Sequence, residues 1–387
     1  MRDKVERGAG RDAVVVGGGV VGLSVARELA RRGLSVALTE RGAAGAEASW
    51  AAAGMLAPQA EADRPDAFFR LACAARDAYP DFAAGLSEET GIDIELDQTG
   101  TLYVALDDGD AAECARRFDW QSRAGLAVER LTGREARELE PNVSPRAVGA
   151  LRFPRDWQVE NRRLVAALAL SARRLGVEIR EHTEALSIST TGAGLARSVE
   201  TSRGTLEADA VVIACGAWSS LLVVGDGDER DVPRVEPVRG QMLCYETGAP
   251  FARHVLYGPR GYLVPRRDGR LLAGSTTERA GFDKSVTAEG RAEIVSHAEE
   301  IAPAVRGLKL ADEWAGLRPR GADEWPIIGA DARVENLFYA TAHYRNGILL
   351  APLTGRLVAR MVAGEAADEL LAPFSAERFR RAATCAG

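Results

Sequence analysis

The chain contains no CxxC pair, no long uncharged hydrophobic run and no basic excess, and each absence closes off a class of function. Cys73, Cys114, Cys215, Cys244 and Cys385 lie far apart, without the Cys and His spacing of a zinc site, and read as reduced, mostly buried thiols. No segment approaches the ~18 consecutive apolar residues of a membrane span, and the N-terminal MRDKVERGAG is a charged tail rather than a signal core. With 49 Lys and Arg against 56 Asp and Glu, the net charge of −7 repels nucleic acid and anionic membrane unless a basic patch is set apart, and none is visible. The expectation is a soluble cytoplasmic protein acting on a small molecule, with no nucleic-acid or integral membrane contact. Only four histidines are present, and they assemble no Ser-His-Asp set or metal cluster. His182 and His297 read as surface residues, while the role of His254 stays open.

What is there is an ordinary globular composition, 46% hydrophobic and 27% charged over 387 residues, long enough for two or three folding units. Residues 13–16 (AVVV) form the wholly apolar run of a parallel strand buried on both faces. The run ends in GGGVVG, which sets Gly17, Gly19 and Gly22 at the GxGxxG spacing. Val21, Val25 and Leu29 then recur every four residues opposite Arg27, Glu28, Arg31 and Arg32, predicting an amphipathic helix closed by Gly33. Residues 34–39 supply a second strand with Glu40 at its end, where a carboxylate can take both hydroxyls of an adenosine ribose. In this frame Gly17 makes the turn, Gly19 admits a pyrophosphate, Gly22 lets helix and strand pack closely, and the helix N-terminus at Val20 and Val21 faces the phosphates.

An acid rather than a base at position 40 argues against a 2′-phosphate, which leaves NAD or FAD. Residues 48–58, ASWAAAGMLAP, are small enough for close approach of a flat ring or phosphate, with an alanine-rich helix start as the plain alternative. No second GxGxxG follows a strand, because Gly192-Ala193-Gly194 and Gly225-Asp226-Gly227 sit in polar, turn-like surroundings. A reductase carrying both FAD and NADPH is therefore not expected. Further along, residues 161–175 read as a helix capped by Asn161, residues 177–179 and 209–214 as strands, and 261–265 and 270–274 as antiparallel strands. Residues 336–342 read as a strand, followed by a helix opened by Pro352.

GGGVVGLSVARELARRG, ERG and AAAGMLAP, together with WAGLRPRGADEWPIIG (314–329) and AHYRNGILLAPLTG (342–355), resemble the glycine oxidases of thiamine biosynthesis, within the D-amino-acid oxidase and sarcosine oxidase superfamily. The similarity spans nearly the whole chain. It implies an α/β fold with a Rossmann-like FAD-binding domain of p-hydroxybenzoate hydroxylase-like topology, discontinuous over 11–85, 146–230 and 319–387. An antiparallel-sheet substrate domain (α+β) would occupy 86–145 and 231–318, behind the charged tail 1–10. The implied cofactor is FAD, held noncovalently: relatives of the monomeric sarcosine oxidase type tether flavin through a cysteine near the C-terminal turn, and residues 343–354 contain none.

Beyond the turn residues already named, the resemblance places Arg41, Ala48, Ser49, Ala53, Gly54, Met55 and Ala185 at the cofactor. Gly216 joins them, with a simple tight turn as an equal alternative. His343, Tyr344, Arg345, Asn346, Gly347, Ile348 and Leu349 would meet the pyrimidine edge of the flavin, where a helix N-terminus stabilises the anionic reduced ring. Amine oxidation by a flavin needs little acid–base machinery once the amine is neutral, so positioning carries most of the catalysis. A buried substrate carboxylate favours a bidentate guanidinium, and Arg318 in GLRP is the first choice. By resemblance, Tyr262 in GYLVPR donates its hydroxyl to the same carboxylate and Arg345 in HYRNG lies near it or the flavin; surface or core roles are the ordinary alternatives.

Two departures stand out. Arg260 occupies a position where the family pattern has histidine, and could take a second substrate anion or extend into solvent; Ala342 replaces the usual glycine. The implied activity is oxidative deamination of glycine, sarcosine and small D-amino acids to an imine and glyoxylate, with O2 reduced to H2O2, supplying the thiazole of thiamine from a homo-oligomer. A D-amino-acid or secondary-amine oxidoreductase with a non-oxygen acceptor, an NAD-dependent dehydrogenase and a non-catalytic nucleotide-binding module are the alternatives.

Overall fold

The strand Ala13–Val16 is buried at every residue, as its unbroken apolar run requires. It pairs in parallel with Val36–Thr39 on one side and Val211–Ile213 on the other. The computed structural model describes residues 10–191, 194–225 and 232–379; Gly192, Ala193, Asp226, Gly227 and Cys385, considered above, lie outside them. The sheet runs in the order Ile327–Ala330, Leu337–Thr341, Val211–Ile213, Ala13–Val16, Val36–Thr39, Glu178–Arg180, parallel except for its first, edge strand. Helix Val20–Arg31 follows the first strand at once. Gly17 turns the chain at φ 109°, and a Cβ on Gly22 would sit 1.9 Å from the Gly17 carbonyl oxygen, so no larger residue allows so close an approach of helix to strand.

The helix is less amphipathic in its surroundings than in its sequence. Arg27, expected on the polar face, is 1% exposed. Its guanidinium donates to Glu89 at 2.7 Å and Ser171 at 2.9 Å, because helices Tyr79–Thr90 and Asn161–Arg174 cover this face as well. The cap of Asn161–Arg174 is Glu160, which accepts from the Arg163 N–H at 2.8 Å. Asn161, expected as the cap, instead donates to the carbonyls of Ser49 and Trp50 at 2.8 and 3.0 Å and ties this helix to segment 48–58.

Pro352 also differs from expectation, since it lies inside the helix Gly347–Val362. Proline has no N–H to give the Ile348 carbonyl one turn earlier. The hydroxyl of the buried Tyr79 donates to that oxygen instead, so the helix passes through its proline without an unpaired buried carbonyl.

A second, eight-stranded sheet runs Lys309–Gly321, Val235–Glu246, Arg270–Gly274, Tyr262–Pro265, Val255–Tyr257, Thr101–Ala105, Gly149–Phe153, Glu129–Thr132. It is antiparallel except between Val255–Tyr257 and Thr101–Ala105. Gly149–Phe153, within the stretch expected for the cofactor-binding part, pairs here with both Thr101–Ala105 and Glu129–Thr132. Segment 86–145 holds helices Asp108–Arg123 and Gly133–Leu139 besides its strands. A smaller four-stranded sheet includes Ala185–Thr190 and Val223–Val224. Among the described residues, no helix is long and apolar enough to cross a membrane, and no group of three or more His, Cys, Asp or Glu could hold a metal.

Candidate active site

A cavity of about 320 Å³ extends from the first strand–helix turn to the face of the eight-stranded sheet. Gly17, Gly19, Val20, Val21, Glu40 and Arg41 line it at the turn, and Ala48, Ser49, Ala53, Gly54, Met55, Ala185 and Gly216 line it further along. His343, Tyr344, Arg345, Asn346, Gly347 and Ile348 close it together with Tyr262 and Arg318. Two expected contacts stay out: Gly22 lies beneath the turn it makes possible, and Leu349 is a core residue, 1% exposed.

The nucleotide end suits a dinucleotide on its own geometry. The two Glu40 carboxylate oxygens accept from the Gly18 and Gly42 N–H groups, each at 2.8 Å, which fixes the acid at the strand end with lone pairs to spare for hydroxyls. The Val20 N–H donates to Ser49 Oγ at 2.9 Å, joining the helix start to segment 48–58. At the far end Asn346 makes no side-chain cap, so the first-turn N–H groups of Gly347–Val362 and the positive helix end are free for an electron-rich group. Ala342 and Tyr344 in the preceding turn take φ 58° and 47°, left-handed values that explain why glycine suits position 342 better than alanine.

At the sheet end, Arg318 donates from Nη1 to the Thr276 carbonyl at 3.0 Å and from Nη2 to Ser275 Oγ at 2.7 Å. Its guanidinium lies flat over Gly240: a Cβ there would stand 2.1 Å from Nη1. Burial pulls Arg318 down from its ordinary range, with the Tyr262 phenol opposing. Tyr262 continues a ring stack with Tyr257 at 6.0 Å between centroids and directs its hydroxyl to Met242 Sδ at 3.3 Å. Arg345 is held ionised: burial opposes its charge, but Glu61, Tyr257 and Tyr262 outweigh burial and raise its pKa. Glu61, in the same lining, is pushed up by burial, which Arg345, Arg318 and Arg117 only partly offset.

Arg260 does not line the cavity. Its guanidinium donates to Glu300 at 2.8 Å with the side chain 40% exposed, so an outward acid claims the charge that a second substrate anion would need. His254 is buried beside Glu140, Nδ1 to Oε1 2.6 Å, also away from the cavity. His343 donates to or accepts from Thr354 Oγ1 at 3.1 Å, and burial lowers its pKa to about 3, so its imidazole stays neutral.

Several lining or supporting residues were not legible beforehand. Gly240, Met242 and Glu61 carry no motif of their own, and only their place on strand or short helix brings them in. Trp218, which follows CGA, stacks under Arg41 at 4.3 Å. Arg266 of GYLVPR is buried beneath segment 48–58 and donates to Ala53 O at 2.8 Å, Asn161 Oδ1 at 3.1 Å, Val159 O at 2.8 Å and Gln158 Oε1 at 3.0 Å. Cys215 also borders the cavity, but burial raises its thiol to about 12, which leaves it protonated and a poor nucleophile toward a flavin.

Residues 12–361 match the model of a family described as FAD dependent oxidoreductase. The glycine oxidase of Geobacillus kaustophilus is 37% identical over 369 residues, covering 95% of this chain and 97% of that one. The bifunctional protein ThiO/ThiG of Synechocystis is 35% identical over 375 residues, 95% of this chain and 54% of that one. The crystal structure of the Geobacillus kaustophilus glycine oxidase superposes with a TM-score of 0.90, covering 94% of this chain and 98% of that one.

Proposed function

Because this chain belongs to the FAD dependent oxidoreductase family, we propose that it oxidises glycine, with sarcosine and small D-amino acids as further substrates, to an imine that hydrolyses to glyoxylate or feeds thiazole formation in thiamine biosynthesis. The observation that carries this reading is a single cavity joining a dinucleotide cradle to a paired-arginine end. FAD, when bound, supplies the acceptor for the two electrons of the α-carbon–hydrogen bond and returns them to oxygen as hydrogen peroxide. Glu40 and the Gly17–Gly19 turn would hold its nucleotide half, and Ala48–Met55 and the helix start at Gly347 the ring half.

The chain's own side chains then do the positioning. Arg318, with donors left after Ser275 and Thr276 are served, takes the substrate carboxylate as a fork; Tyr262 turns its hydroxyl from the weak acceptor Met242 Sδ to the same group; and Arg345 adds the second positive charge. Fixing the carboxylate leaves the α-carbon of a small amine toward the ring wall, and stacked Tyr103, Tyr257 and Tyr262 exclude water from that side. We place the activity in the cytoplasm, where well-separated free cysteines persist as thiols. A homo-oligomer belongs to this reading, and sedimentation would test it.

The test is optical. The purified protein should be yellow with one FAD per chain, and anaerobic glycine should bleach the flavin band; a colourless protein that binds NAD would overturn the assignment.

A further inference from the structure

Glu61 ends the short helix Pro58–Glu61 and lines the cavity together with Arg318, Arg345 and Tyr262. Among the described residues its carboxylate has no hydrogen bond and no ion pair. The backbone that carries it is nevertheless pinned from both sides. Buried Asp156 accepts from the Gln59 and Ala60 N–H groups at 3.2 and 2.7 Å, and Arg117 donates to the Ala60 and Ala62 carbonyls at 2.7 and 2.8 Å. A rigidly placed acid with no internal hydrogen bond is available to a group that arrives from outside.

Glycine brings such a group. It enters as a zwitterion, and hydride can leave the α-carbon only when the nitrogen holds a lone pair, so the ammonium must first lose a proton. Arginines cannot accept it. Of the other acids in the lining, Glu40 is engaged with Gly18 and Gly42 and Glu47 with Lys284, while Glu184 is solvent-exposed beside Ala185, away from the arginine end. We propose that Glu61 accepts the substrate's ammonium proton, an inference that rests on the amine-oxidising reading above. The N–H bond breaks with its electron pair left on nitrogen, an O–H bond forms on the Glu61 carboxylate, and the proton passes to water when product leaves; no electrons change hands in the step.

The surrounding charges make the transfer follow substrate entry. Arg345 from the turn before helix Gly347–Val362, Arg318 from strand Lys309–Gly321 and Arg117 from helix Asp108–Arg123 favour the ionised carboxylate. Burial favours the protonated form, and Glu61 in turn pushes up its neighbours Tyr257, from Val255–Tyr257, and Asp156, from the loop after Gly149–Phe153. A substrate carboxylate seated on Arg318 and Arg345 cancels most of the first influence, so the proton affinity of Glu61 rises as the ammonium arrives.

Glu61→Gln keeps the shape and removes the acceptor. In the flavin-loaded enzyme, kcat/KM for glycine at neutral pH should fall about 100-fold. The variant's value should then climb about tenfold per pH unit as free amine becomes abundant, approaching wild type at alkaline pH. Flavin content should be unchanged and acetate should still perturb the flavin spectrum. A variant profile parallel to wild type at every pH overturns the proposal. Independently of any variant, acetate binding to the wild-type holoenzyme in weak buffer should draw about one proton from solution, seen with an indicator dye; no uptake also overturns it. A wild-type enzyme that oxidises no glycine would instead refute the functional reading itself.

Discussion

Gly240→Ala tests whether the guanidinium of Arg318 is placed by the absence of a side chain opposite it. The added Cβ would stand 2.1 Å from Nη1, 2.2 Å from Nη2 and 2.3 Å from Cζ. With carbon and nitrogen in contact at ~3.5 Å, the guanidinium must retreat by about 1.4 Å. Gly240 sits in mid-ladder opposite Gly316, so the strand gives less readily than the end of a flexible side chain. The retreat breaks the bonds to Ser275 and Thr276 and moves the fork off the substrate carboxylate. A displacement near 1 Å costs about 100-fold in rate, or ~2.7 kcal/mol.

The ceiling is set by Arg318→Ala, which removes one partner of a buried charge pair at ~2–5 kcal/mol, about 30- to 4,000-fold. Steady-state kcat/KM for glycine is the assay, with flavin content measured on the same samples. The double variant should be no worse than Arg318→Ala alone, since both act through one group. A Gly240→Ala enzyme within about threefold of wild type would refute the reasoning, because a guanidinium that tolerates the move is not orienting the substrate.

Three further changes probe the frame around the site. Tyr79→Phe should leave the Ile348 carbonyl buried and unpaired, at ~1–3 kcal/mol, read as a fall in urea midpoint with unchanged slope; an unchanged midpoint would mean another donor serves that oxygen. His343→Gln should flatten the acid side of the stability profile. Burial lowers the folded His343 pKa from 6.5 to about 3, so its contribution is complete above pH 6.5 and is lost, at about 1.4 kcal/mol per pH unit, as pH falls from 6.5 toward 3; parallel wild-type and variant profiles would contradict this. Arg266→Lys replaces a four-acceptor fork by an ammonium that cannot span Ala53, Asn161, Val159 and Gln158, so FAD should dissociate at least about tenfold more readily in equilibrium dialysis; unchanged affinity would show that segment 48–58 holds its shape without the arginine.

Much of the nucleotide half was readable because its chemistry is local. Strand, turn, helix and acid lie within residues 13–40, and the requirement at Gly22 is set by a carbonyl only five residues away. The substrate end was readable only in part, because its parts meet through long-range pairing. Arg318 pairs with Val238 and lays its guanidinium over Gly240 two residues along, across a ladder whose register no local pattern specifies, and Glu61 arrives on a four-residue helix with no periodicity. Arg260 shows the converse limit: its place in the motif left a substrate contact and a solvent-facing side chain both open, and Glu300 on a neighbouring helix decides for the outward one. Asn161 and Pro352 looked like helix starts by composition, and the tertiary partners Ser49, Trp50 and Tyr79 decide their actual roles.

The central claim is that this cavity oxidises glycine with FAD and returns the electrons to oxygen. The most direct test is an oxygen electrode run on the purified, flavin-loaded protein with glycine as sole substrate, with glyoxylate and hydrogen peroxide assayed in the same vessel. The account predicts oxygen uptake that depends on glycine and is matched mole for mole by both products. Flavin that stays oxidised in the presence of glycine, with no oxygen consumed, would contradict it.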